Sequence, residues 1–540
     1  MRLSNLLKFN KKNYQDIFVS GISFDSRKLK KGDIFFAIKG KNDFGLKYIK
    51  EAIYRGAVAV IVDKNQKINS STIPIIKVAN VRKSLSKACS LLYKNKPKSI
   101  IAVTGTNGKS SVADFYYQIL NMNKISVAFI GTLGIISKKY RRKTNLTSID
   151  PLNLHKTLQI LKNKKINNII LEASSIGLDQ NRLDYLKFKA GIFTNLSHDH
   201  LDYHKNMKAY FKSKMYLFNN LLKKGSRVIT DNNIREYKDI LSVAKRKKLK
   251  KIAIGNEHAD LKILDHKYKN TKQLVKIKFN KRIYLLEIPL IGYFQVKNLL
   301  LGAVTAITSG IDDNKVFSKL HKIKSVPGRL ENITSINRSS NIILDFAHTP
   351  DALEQSLIEL KKQFKKKIIL VLGCGGNRDK KKRFVMGKIA KKYCHKIYVT
   401  DDNPRSEDPQ KIRKAIIKGC KNIAVDVANR GQAIEKAVTK LKLDEILLVS
   451  GKGHETEQDY GSKKLKFSDK NIIKKVATKI QKNIKHNPYN CYNLKNYSGV
   501  SINTKTIKKN NLFFAIKGKK NNGHKFVREA IKKGAKKVII

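Results

Sequence analysis

The sequence has few cysteines, no long apolar run and no apolar segment behind its first residues. Its five cysteines are spread over 540 residues without paired spacing. This argues against a zinc site or a disulfide framework and predicts a reducing, cytoplasmic location. No apolar run approaches the roughly 20 residues that a membrane helix needs, so we expect no membrane insertion. Lys-rich sequence follows the start directly, and we therefore expect no signal peptide.

Acidic residues are also scarce. The chain carries 41 Asp and Glu against 113 Lys and Arg, a formal net charge of +72. Such a charge suggests nucleic-acid binding. However, the lysines are spread along the whole chain and no nucleic-acid-binding motif is present. We expect a composition bias over an ordinary fold, with no specific nucleic-acid partner but a general preference for polyanionic ligands.

One Gly-rich turn has the context of a phosphate-binding loop. The apolar run 100–103 predicts a buried strand, residues 104–110 ("TGTNGKS") form the turn, and a helix is predicted from Ser111. Backbone N–H groups at such a helix start bind anions. Lys109 would reach the outer phosphates and the Ser110 hydroxyl would ligate Mg²⁺. Only two residues separate Gly105 from Gly108, where the general pattern has four, so a plain strand–turn–helix joint is the alternative.

Short β-type runs alternate with helical stretches along most of the chain. The length predicts roughly three or four domains, and the alternation predicts parallel sheets. Strands are predicted at 34–38, 58–62, 100–103, 169–172, 190–194, 227–230, 342–344, 368–372, 396–399 and 446–449, and an early helix at 48–55.

The chain also repeats itself. The stretch that begins at Ser20 aligns without a gap to the stretch that begins at Ser498, with roughly half of the positions identical. A second copy of the first domain is therefore predicted near residue 490. We predict domains at 1–85, 86–335, 336–485 and 490–540.

Ten ordered motifs resemble one enzyme family. They are "FDSR" (24–27), "GTNGKSS" (105–111), "LEASSIGLDQNR" (171–182), "TNLSHDHLDYH" (194–204), "SKMYLF" (213–218), "VPGRLEN" (326–332), "DFAHTPDALE" (345–354), "GCGGNRDKKKR" (373–383), "DDNPR" (401–405) and "GKGHE" (451–455). The chain resembles the Mur ligases of bacterial cell-wall synthesis, most closely the E-type branch. The repeat is similar to the start of the F-type branch.

This resemblance implies an α/β fold with the three-domain Mur ligase architecture. It consists of a small α/β uridine-binding domain, a central ATPase domain with a phosphate loop and a parallel sheet, and a Rossmann-like C-terminal domain. A partial second copy of the first domain follows. The implied reaction uses ATP to convert a carboxylate of a UDP-muramoyl dipeptide into an acyl phosphate, which the amine of meso-diaminopimelate attacks. We expect a cytoplasmic monomer that depends on ATP and Mg²⁺.

The resemblance also assigns roles to individual residues. Lys109, Glu172, His200 and a carbamylated Lys214 would be catalytic, and Ser110, Glu172, His200 and Lys214 would bind the metal. ATP would contact Gly105, Thr106, Asn107, Gly108, Lys109, Ser110, Asn298, Arg329 and Asp345. The UDP substrate would contact Ser26, Thr147, Ser148, Ser174, Gln180 and Arg182. Diaminopimelate would contact Arg378, Asp402, Asn403, Arg405, Gly451 and Glu455.

Three positions depart from the family pattern, and four other functions stay open. Gln295 stands for the usual Asn, Ile176 for a common His, and Asn377 for the usual Asp. A lysine-adding or D-glutamate-adding relative and a folylpolyglutamate-type synthetase are alternatives within the ligases, although "DDNPR" and "FDSR" favour the diaminopimelate enzyme. A noncatalytic module that binds polyanions is the alternative from another class.

Overall fold

A computed structural model describes residues 1–7, 17–40, 44–66, 68, 72–336, 340–486, 497–518 and 522–540. Within these residues the strands form four parallel or mixed sheets and one short hairpin. No helix in the described part combines the length and the apolar composition needed to cross a bilayer.

The first sheet is small and entirely parallel, with strand order β1-β2-β3-β4. Its elements are α1 (Leu3–Leu6), β1 (Gly21–Ser23), β2 (Asp33–Phe36), α2 (Ile49–Tyr54), β3 (Ala59–Asp63), β4 (Ile75–Val78) and α3 (Val81–Leu92). The two strands and the helix predicted in this region are all present. The core of this unit includes the inner face of α3, where Leu85, Ala88 and Cys89 are buried against β2 and β3.

The central sheet has eleven strands. The first part contains β5 (Ser99–Thr104), α4 (Lys109–Met122), β6 (Val127–Gly131), β7 (Gly134–Ile136), β8 (Arg141–Arg142), α5 (Pro151–Asn163), β9 (Asn168–Glu172), α6 (Ser175–Asp179), β10 (Phe188–Phe193), α7 (Leu201–His204) and α8 (Met207–Tyr216). The second part contains β11 (Leu222–Asp231), α9 (Tyr237–Arg246), β12 (Lys250–Gly255), β13 (Leu261–Lys269), β14 (Lys272–Phe279), β15 (Arg282–Ile288), α10 (Tyr293–Thr308) and α11 (Asp313–Phe317).

The predicted parallel pairing is confirmed in the middle of this sheet. Strands β11, β10, β5, β9 and β6 lie side by side and run parallel, with buried apolar residues on both faces. Both edges are antiparallel instead, formed by β13–β14–β15 and β6–β7–β8. The edges differ because a two-residue connection such as Asn280-Lys281, with both residues at positive φ, can join only antiparallel neighbours.

The third sheet has six strands in the order β16-β17-β21-β18-β19-β20, parallel except for the β16–β17 pair. Its elements are β16 (Glu331–Ile336), β17 (Ser340–Asp345), α12 (Pro350–Phe364), β18 (Lys367–Leu372), α13 (Lys381–Tyr393), β19 (Lys396–Val399), α14 (Pro409–Cys420), β20 (Ala424–Asp426), α15 (Arg430–Thr439) and β21 (Glu445–Ser450). The hairpin β22 (Glu457–Asp459) and β23 (Lys464–Lys466) and the helix α16 (Asp469–His486) follow.

The repeat folds as its sequence predicts. Its elements are β24 (Gly499–Ser501), β25 (Asn511–Phe514), α17 (Val527–Lys532) and β26 (Lys537–Ile539). The three strands are parallel in the order β24-β25-β26, as β1, β2 and β3 are in the first sheet. The predicted start of this copy near residue 490, together with Cys491, lies outside the described residues.

The predicted domain limits fall inside regular elements. Residue 85 lies in α3, residue 335 lies in β16, and residue 485 lies in α16. Packing argues against the first two limits, because α3 contributes to the first core up to Cys89 and β16 pairs with β17 in the third sheet. The three limits remain predictions, and the continuous secondary structure favours the end of α3 for the first, the start of β16 for the second and the end of α16 for the third.

Three neighbouring parallel strands end at one edge of the central sheet. Strand β5 ends at Thr104, β9 at Glu172 and β10 at Phe193, and β5 lies between the other two. Ligands gather beyond the carboxyl ends of strands in parallel α/β sheets. The segments that follow these three strands carry most of the predicted catalytic residues.

Candidate functional site

The turn after β5 has the backbone of an anion-binding loop. Gly105 has φ +143° and Gly108 has φ +84°, a left-handed conformation that favours glycine. A Cβ on Gly108 would lie 2.5 Å from Asn298 Oδ1, so the loop packs closely against α10. Helix α4 begins at Lys109, two residues before the predicted start. The first N–H groups of α4 are therefore those of Lys109 and Ser110, the last residues of the predicted turn.

The side chain of Lys109 folds back on its own loop. Its Nζ donates to the carbonyl oxygens of Gly105 at 2.9 Å and Thr106 at 2.7 Å. Burial lowers the pKa of Lys109, while the carboxylates of Glu172 and Asp199 act in the opposite direction. A phosphate at this loop would offer Lys109 an anionic partner in exchange for two neutral carbonyls.

The segment after β10 holds the loop in place. The N–H groups of Thr106 and Asn107 donate to Asn195, at 2.8 Å to its carbonyl and 2.9 Å to its Oδ1. Thr194 Oγ1 donates to the Asn107 carbonyl at 2.5 Å. The hydroxyl of Thr106 bonds to the carbonyl of Ser197 at 3.2 Å. The loop is thus positioned by two strands rather than by its own sequence alone.

Glu172 lies beside the loop, at the end of β9. It is 1 % exposed, and its Oε1 accepts from Ser110 Oγ at 2.9 Å and from the Thr132 N–H at 2.9 Å. Its Oε2 accepts from Thr132 Oγ1 at 3.1 Å. The structure therefore brings together Ser110 and Glu172, two of the four predicted metal ligands, in direct contact.

Lys214, on α8, approaches the loop from the other side. Its Nζ donates to the Gly105 carbonyl at 2.7 Å and lies 4.2 Å from the centre of the Tyr210 ring. Burial lowers its pKa well below the ordinary value, and the charge of Lys109 lowers it further. His200 lies nearby, and burial together with these two lysines lowers its pKa, against the opposing effect of Asp199.

This donor set fits a Mg²⁺ ion in part. Mg²⁺ takes oxygen ligands, usually one or two carboxylates with phosphates and water. Ser110 Oγ and Glu172 Oε1 are two oxygens in mutual contact beside an anion-binding loop. In the described part of the chain, His, Cys, Asp and Glu form no group of three that could hold a metal. A carboxylate on Lys214 would add a third oxygen donor at the opposite side of Gly105.

The residues predicted for the nucleotide base form a second group behind the loop. Asn298 Nδ2 donates to Gln295 Oε1 at 3.1 Å, and Gln295 Nε2 donates to the Arg329 carbonyl at 3.1 Å. The amide of Gln295 thus joins Asn298 to the segment that carries Arg329. Asp345 Oδ1 accepts from the Leu330 N–H at 3.2 Å and orders the segment that carries Arg329.

A cavity of 480 Å³ lies between the first unit and the central unit. Ser26, Gln180 and Arg182, three of the six predicted substrate contacts, line it. Ser26 Oγ donates to Glu51 Oε2 at 2.8 Å. Gln180 Oε1 accepts from Arg182 Nη2 at 2.7 Å and from Arg82 Nη1 at 3.4 Å. Two guanidinium groups therefore converge on one wall, which suits an anionic ligand.

The other three predicted contacts continue from this cavity toward Glu172. Arg182 Nη1 donates to the Ser148 carbonyl at 2.6 Å, and Ser148 Oγ accepts from the Ser174 N–H at 2.8 Å. Ser148 Oγ also donates to the Glu172 carbonyl at 2.8 Å. The hydroxyl oxygens of Thr147 and Thr132 lie 3.2 Å apart. A series of hydrogen-bonded groups thus joins the cavity to the Ser110–Glu172 pair.

The predicted amino-acid contacts meet in the third unit, with one exception. Asn403 Nδ2 donates to Glu455 Oε2 at 2.9 Å. Arg405 Nη1 donates to the Gly376 carbonyl at 2.7 Å. Asp402 is buried beside Gly451, since a Cβ on that glycine would lie 2.6 Å from Asp402 Oδ2. Arg378 is exposed, and no hydrogen bond within the described residues joins it to the others.

Three residues that sequence reasoning missed take part in these clusters. Lys452 is fully buried, and its Nζ donates to Asn403 Oδ1 at 3.0 Å and Glu455 Oε2 at 2.9 Å. His454 packs on the Phe346 ring, with 5.3 Å between ring centres. Asp199 lies among Lys109, His200 and His348, whose charges lower its pKa although burial alone would raise it. The feature of the sequence that could have identified them is their position inside the "GKGHE" and "SHDH" motifs.

Sequence profiles of one family match most of the chain. The Mur ligase middle domain matches residues 103–306, and the Mur ligase glutamate ligase domain matches residues 328–453. The catalytic domain of the Mur ligase family matches residues 18–93 and again residues 496–540. The second match falls on the repeat.

Curated relatives cover most of the chain. UDP-N-acetylmuramoyl-L-alanyl-D-glutamate–2,6-diaminopimelate ligase of Rickettsia montanensis is 40% identical over 474 residues, which are 86% of this chain and 98% of the relative. The enzyme of the same name from Mesorhizobium japonicum is 37% identical over 454 residues, 84% of this chain and 94% of the relative.

Solved structures agree with this match. A UDP-N-acetylmuramoyl-L-alanyl-D-glutamate–2,6-diaminopimelate ligase is similar with a TM-score of 0.66 and 27% identity, over 89% of this chain and 99% of that one. The MurF ligase of Thermotoga maritima in complex with ADP has a TM-score of 0.58 at 18% identity, over 87% and 99% of the two chains. The latter similarity concerns the fold alone.

Proposed function

The chain belongs to the Mur ligase family, and from this premise we propose that it joins meso-2,6-diaminopimelate to UDP-N-acetylmuramoyl-L-alanyl-D-glutamate at the expense of ATP. The reaction would pass through an acyl phosphate and supply a peptidoglycan precursor. The observation that carries the proposal is the hydrogen-bonded series from Arg182 through Ser148 to Glu172. It connects an anion-suited cavity to a phosphate-loop site over the path that a nucleotide-linked peptide would take. We further propose that the enzyme acts as a monomer in the cytoplasm.

The loop would bind and orient the phosphates of ATP. The N–H groups at the start of α4 face this site, and Lys109 would leave its carbonyl partners to contact the outer phosphates. Negative charge accumulates on the phosphoryl oxygens during transfer, so positioned donors and cations provide most of the rate enhancement. Arg329 would be a second such cation, since its Nη2 is 3.4 Å from Ser110 Oγ.

Mg²⁺ would be held by Ser110 and Glu172, with His200 and a carbamylated Lys214 at a second position. When bound, the ion would neutralise charge on the phosphates and polarise the phosphoryl group. Glu172 is held in position for this role by Thr132, which donates hydrogen bonds to both of its carboxylate oxygens. The chain also contributes a buried amine at Lys214 whose lowered pKa favours the neutral form that reacts with CO₂.

The third unit would select the amino acid. Diaminopimelate ends in a second carboxylate and ammonium, and Arg pairs with carboxylates in bidentate geometry. Arg405 would take this carboxylate together with Asn403, and Glu455 would take the distal ammonium. Lysine would instead present an ammonium group toward Arg405 and be repelled.

The test is an ATP-dependent ligation assay with a panel of amino acids. Purified protein, the UDP-muramoyl dipeptide, Mg²⁺ and ATP are combined with meso-diaminopimelate, L-lysine, D-glutamate or L-glutamate in turn. We expect release of phosphate and formation of amide with meso-diaminopimelate only. Amide formation with lysine or glutamate would identify another ligase of the family. Binding of nucleotide without any ADP formed in the complete mixture would favour the noncatalytic alternative.

A pair of arginine variants sharpens this assay. Arg405→Ala should raise the KM for meso-diaminopimelate by about tenfold to a hundredfold, because one bidentate charge pair is lost. Arg235→Ala, an exposed arginine on the central unit, is the matched control and should leave the KM unchanged. An equal KM for both variants would contradict the assignment of Arg405.

A further inference from the structure

The residue next to Glu455 connects the amino-acid cluster to the phosphate-loop site. His454 belongs to the loop 451–455, which follows β21 and packs against the segment between the central and third units. A Cβ on Gly328 would lie 2.4 Å from the His454 backbone nitrogen, and a Cβ on Gly453 would lie 2.8 Å from Phe346 Cβ. Glycine at these two positions therefore lets the loop lie directly against residue 328 and Phe346.

One connection leads from His454 to Glu172. Burial lowers the pKa of His454 to about 4, and the nearby Thr132 backbone acts in the opposite direction. Thr132 in turn donates to Glu172 Oε1 through its N–H and to Oε2 through its hydroxyl. Thr132 thus lies between the imidazole and the carboxylate.

A second connection leads from His454 to Ser110. The imidazole packs on the Phe346 ring at 5.3 Å between centres, and the Arg329 guanidinium lies 4.5 Å from the centre of the same Phe346 ring. Arg329 Nη2 reaches Ser110 Oγ at 3.4 Å. Both connections therefore end at the Ser110–Glu172 hydrogen bond, and each starts at His454.

The chemistry of the ring argues for positioning rather than for proton transfer. Its Nδ1 is shielded from solvent and has no hydrogen-bond partner within the described residues. Among the described residues, the ring has no contact with a residue predicted to touch the amino acid. Its sequence neighbour Glu455 belongs to that cluster. A neutral ring held between Thr132 and Phe346 can transmit the position of the loop without changing the charge of either site.

We propose that His454 is a positioning residue that links the amino-acid cluster around Glu455 to the Ser110–Glu172 pair. The inference rests on the function proposed above. When the amino acid draws Glu455 and its loop into place, His454 sets Thr132 and Arg329, and through them the two oxygens beside the phosphate loop. Phosphoryl transfer and amide formation then both depend on a correctly placed loop.

Two substitutions separate the two connections. His454→Phe keeps a ring on Phe346 and removes the polar contact with Thr132, whereas His454→Gln keeps a polar donor and removes the ring. For each variant we expect a fall in kcat of about tenfold, with the KM for meso-diaminopimelate and the Kd for a fluorescent ATP analogue within about twofold of wild type. Glu455→Gln should show the opposite split, a raised KM with a smaller change in kcat.

A double-mutant cycle tests the route itself. Because His454→Gln and Phe346→Leu interrupt the same connection, their combined effect on kcat should be clearly smaller than the product of the two single effects. His321→Gln, at an exposed histidine, is the matched control and should behave as wild type. Thermal unfolding of every variant is measured, and kcat is compared only between variants that unfold cooperatively.

The outcomes are distinct from those of the proposed function. A wild-type protein that forms no amide overturns the proposed function and this inference with it. A wild-type protein that ligates, with His454→Phe and His454→Gln at wild-type kcat, overturns this inference alone. So does a raised KM with unchanged kcat, which would place His454 in the amino-acid pocket. If either variant fails to fold, multiplicative effects in the cycle between Phe346→Leu and Glu455→Gln would overturn it.

Discussion

At the scale of single residues, two lysines share one backbone oxygen. Lys109 Nζ and Lys214 Nζ both donate to the carbonyl of Gly105, at 2.9 Å and 2.7 Å. Neither lysine has an ion pair among the described residues, and each is desolvated. Burial, and then the charge of Lys109, lower the pKa of Lys214 well below its ordinary value, whereas at Lys109 the carboxylates of Glu172 and Asp199 act against burial. The two lysines are therefore suited to different tasks: Lys109 as a phosphate contact and Lys214 as a neutral amine.

Replacing Lys109 should remove ATP-dependent ligation. For Lys109→Ala we expect kcat/KM to fall by about 10²–10³-fold or more, because a charge aimed at the phosphoryl oxygens is lost. The measurement is phosphate release in the complete reaction mixture, with the unfolding temperature as a check of the fold. Lys98→Ala, at an exposed lysine before β5, is the control. A Lys109→Ala enzyme with wild-type kcat/KM would exclude the phosphate-loop assignment.

Lys214 should carry a carbamate. Its neutral amine adds to CO₂ with release of one proton, and lowering of the pKa by burial makes that form available near pH 7. Protein equilibrated with ¹³C-labelled bicarbonate should show a carbamate carbon in its NMR spectrum. The signal should vanish in Lys214→Met and persist in Lys212→Met, at an exposed neighbour on α8. A spectrum without this signal in the wild type would refute the modification.

At the scale of elements, α3 and α5 pack against each other across the boundary between the first and central units. The interface contains His155, which is 0 % exposed and whose two ring nitrogens have no partner within the described residues. Burial, with a smaller contribution from Lys96, lowers the pKa of His155 to about 3. The helix pair therefore depends on a neutral imidazole.

This burial makes stability depend on pH. The folded pKa of His155 lies below the ordinary value of 6.5, so the unfolded chain binds the extra proton and stability falls as pH drops from 6.5 toward 3. At about pH 5.5 the loss attributable to His155 should be about 1.4 kcal/mol. We expect His155→Leu to lack this component in urea titrations at several pH values. His258→Leu, at an exposed position, should retain it; parallel pH profiles for wild type and His155→Leu would refute the account.

At the scale of the whole molecule, the central and third units are joined by very few residues. Val326 is buried in the central core and Leu330 in the core of the third unit. A hinge that extended over 327–345 would include β16 and β17, which pair with each other inside the third sheet, so the part of the connection that can rotate is shorter. Rotation can be absorbed by Pro327, Gly328 and Arg329, of which Gly328 has φ +66°.

Closure about this hinge should accompany binding. The three substrates contact different units, so the reacting groups meet only if the units approach one another. Small-angle X-ray scattering should show a smaller radius of gyration with a nonhydrolysable ATP analogue and the UDP-muramoyl dipeptide than without ligands. ATP analogue with uridine alone is the control and should give a smaller change. An unchanged radius of gyration with all ligands would contradict closure.

The sequence by itself determined the local elements and the chemistry of the motifs. Runs such as 368–372 and 396–399 form strands because β-branched and apolar residues suit a sheet buried on both faces. The repeat that begins at Ser498 and the glycines of the phosphate loop can likewise be identified from the sequence alone. The tertiary structure alone decided which motifs meet: that Ser26 and Arg182 share a cavity, that Lys452 is buried between Asn403 and Glu455, and that His454 lies between two sites. Burial and contact depend on residues far apart in the chain, and no local pattern encodes them.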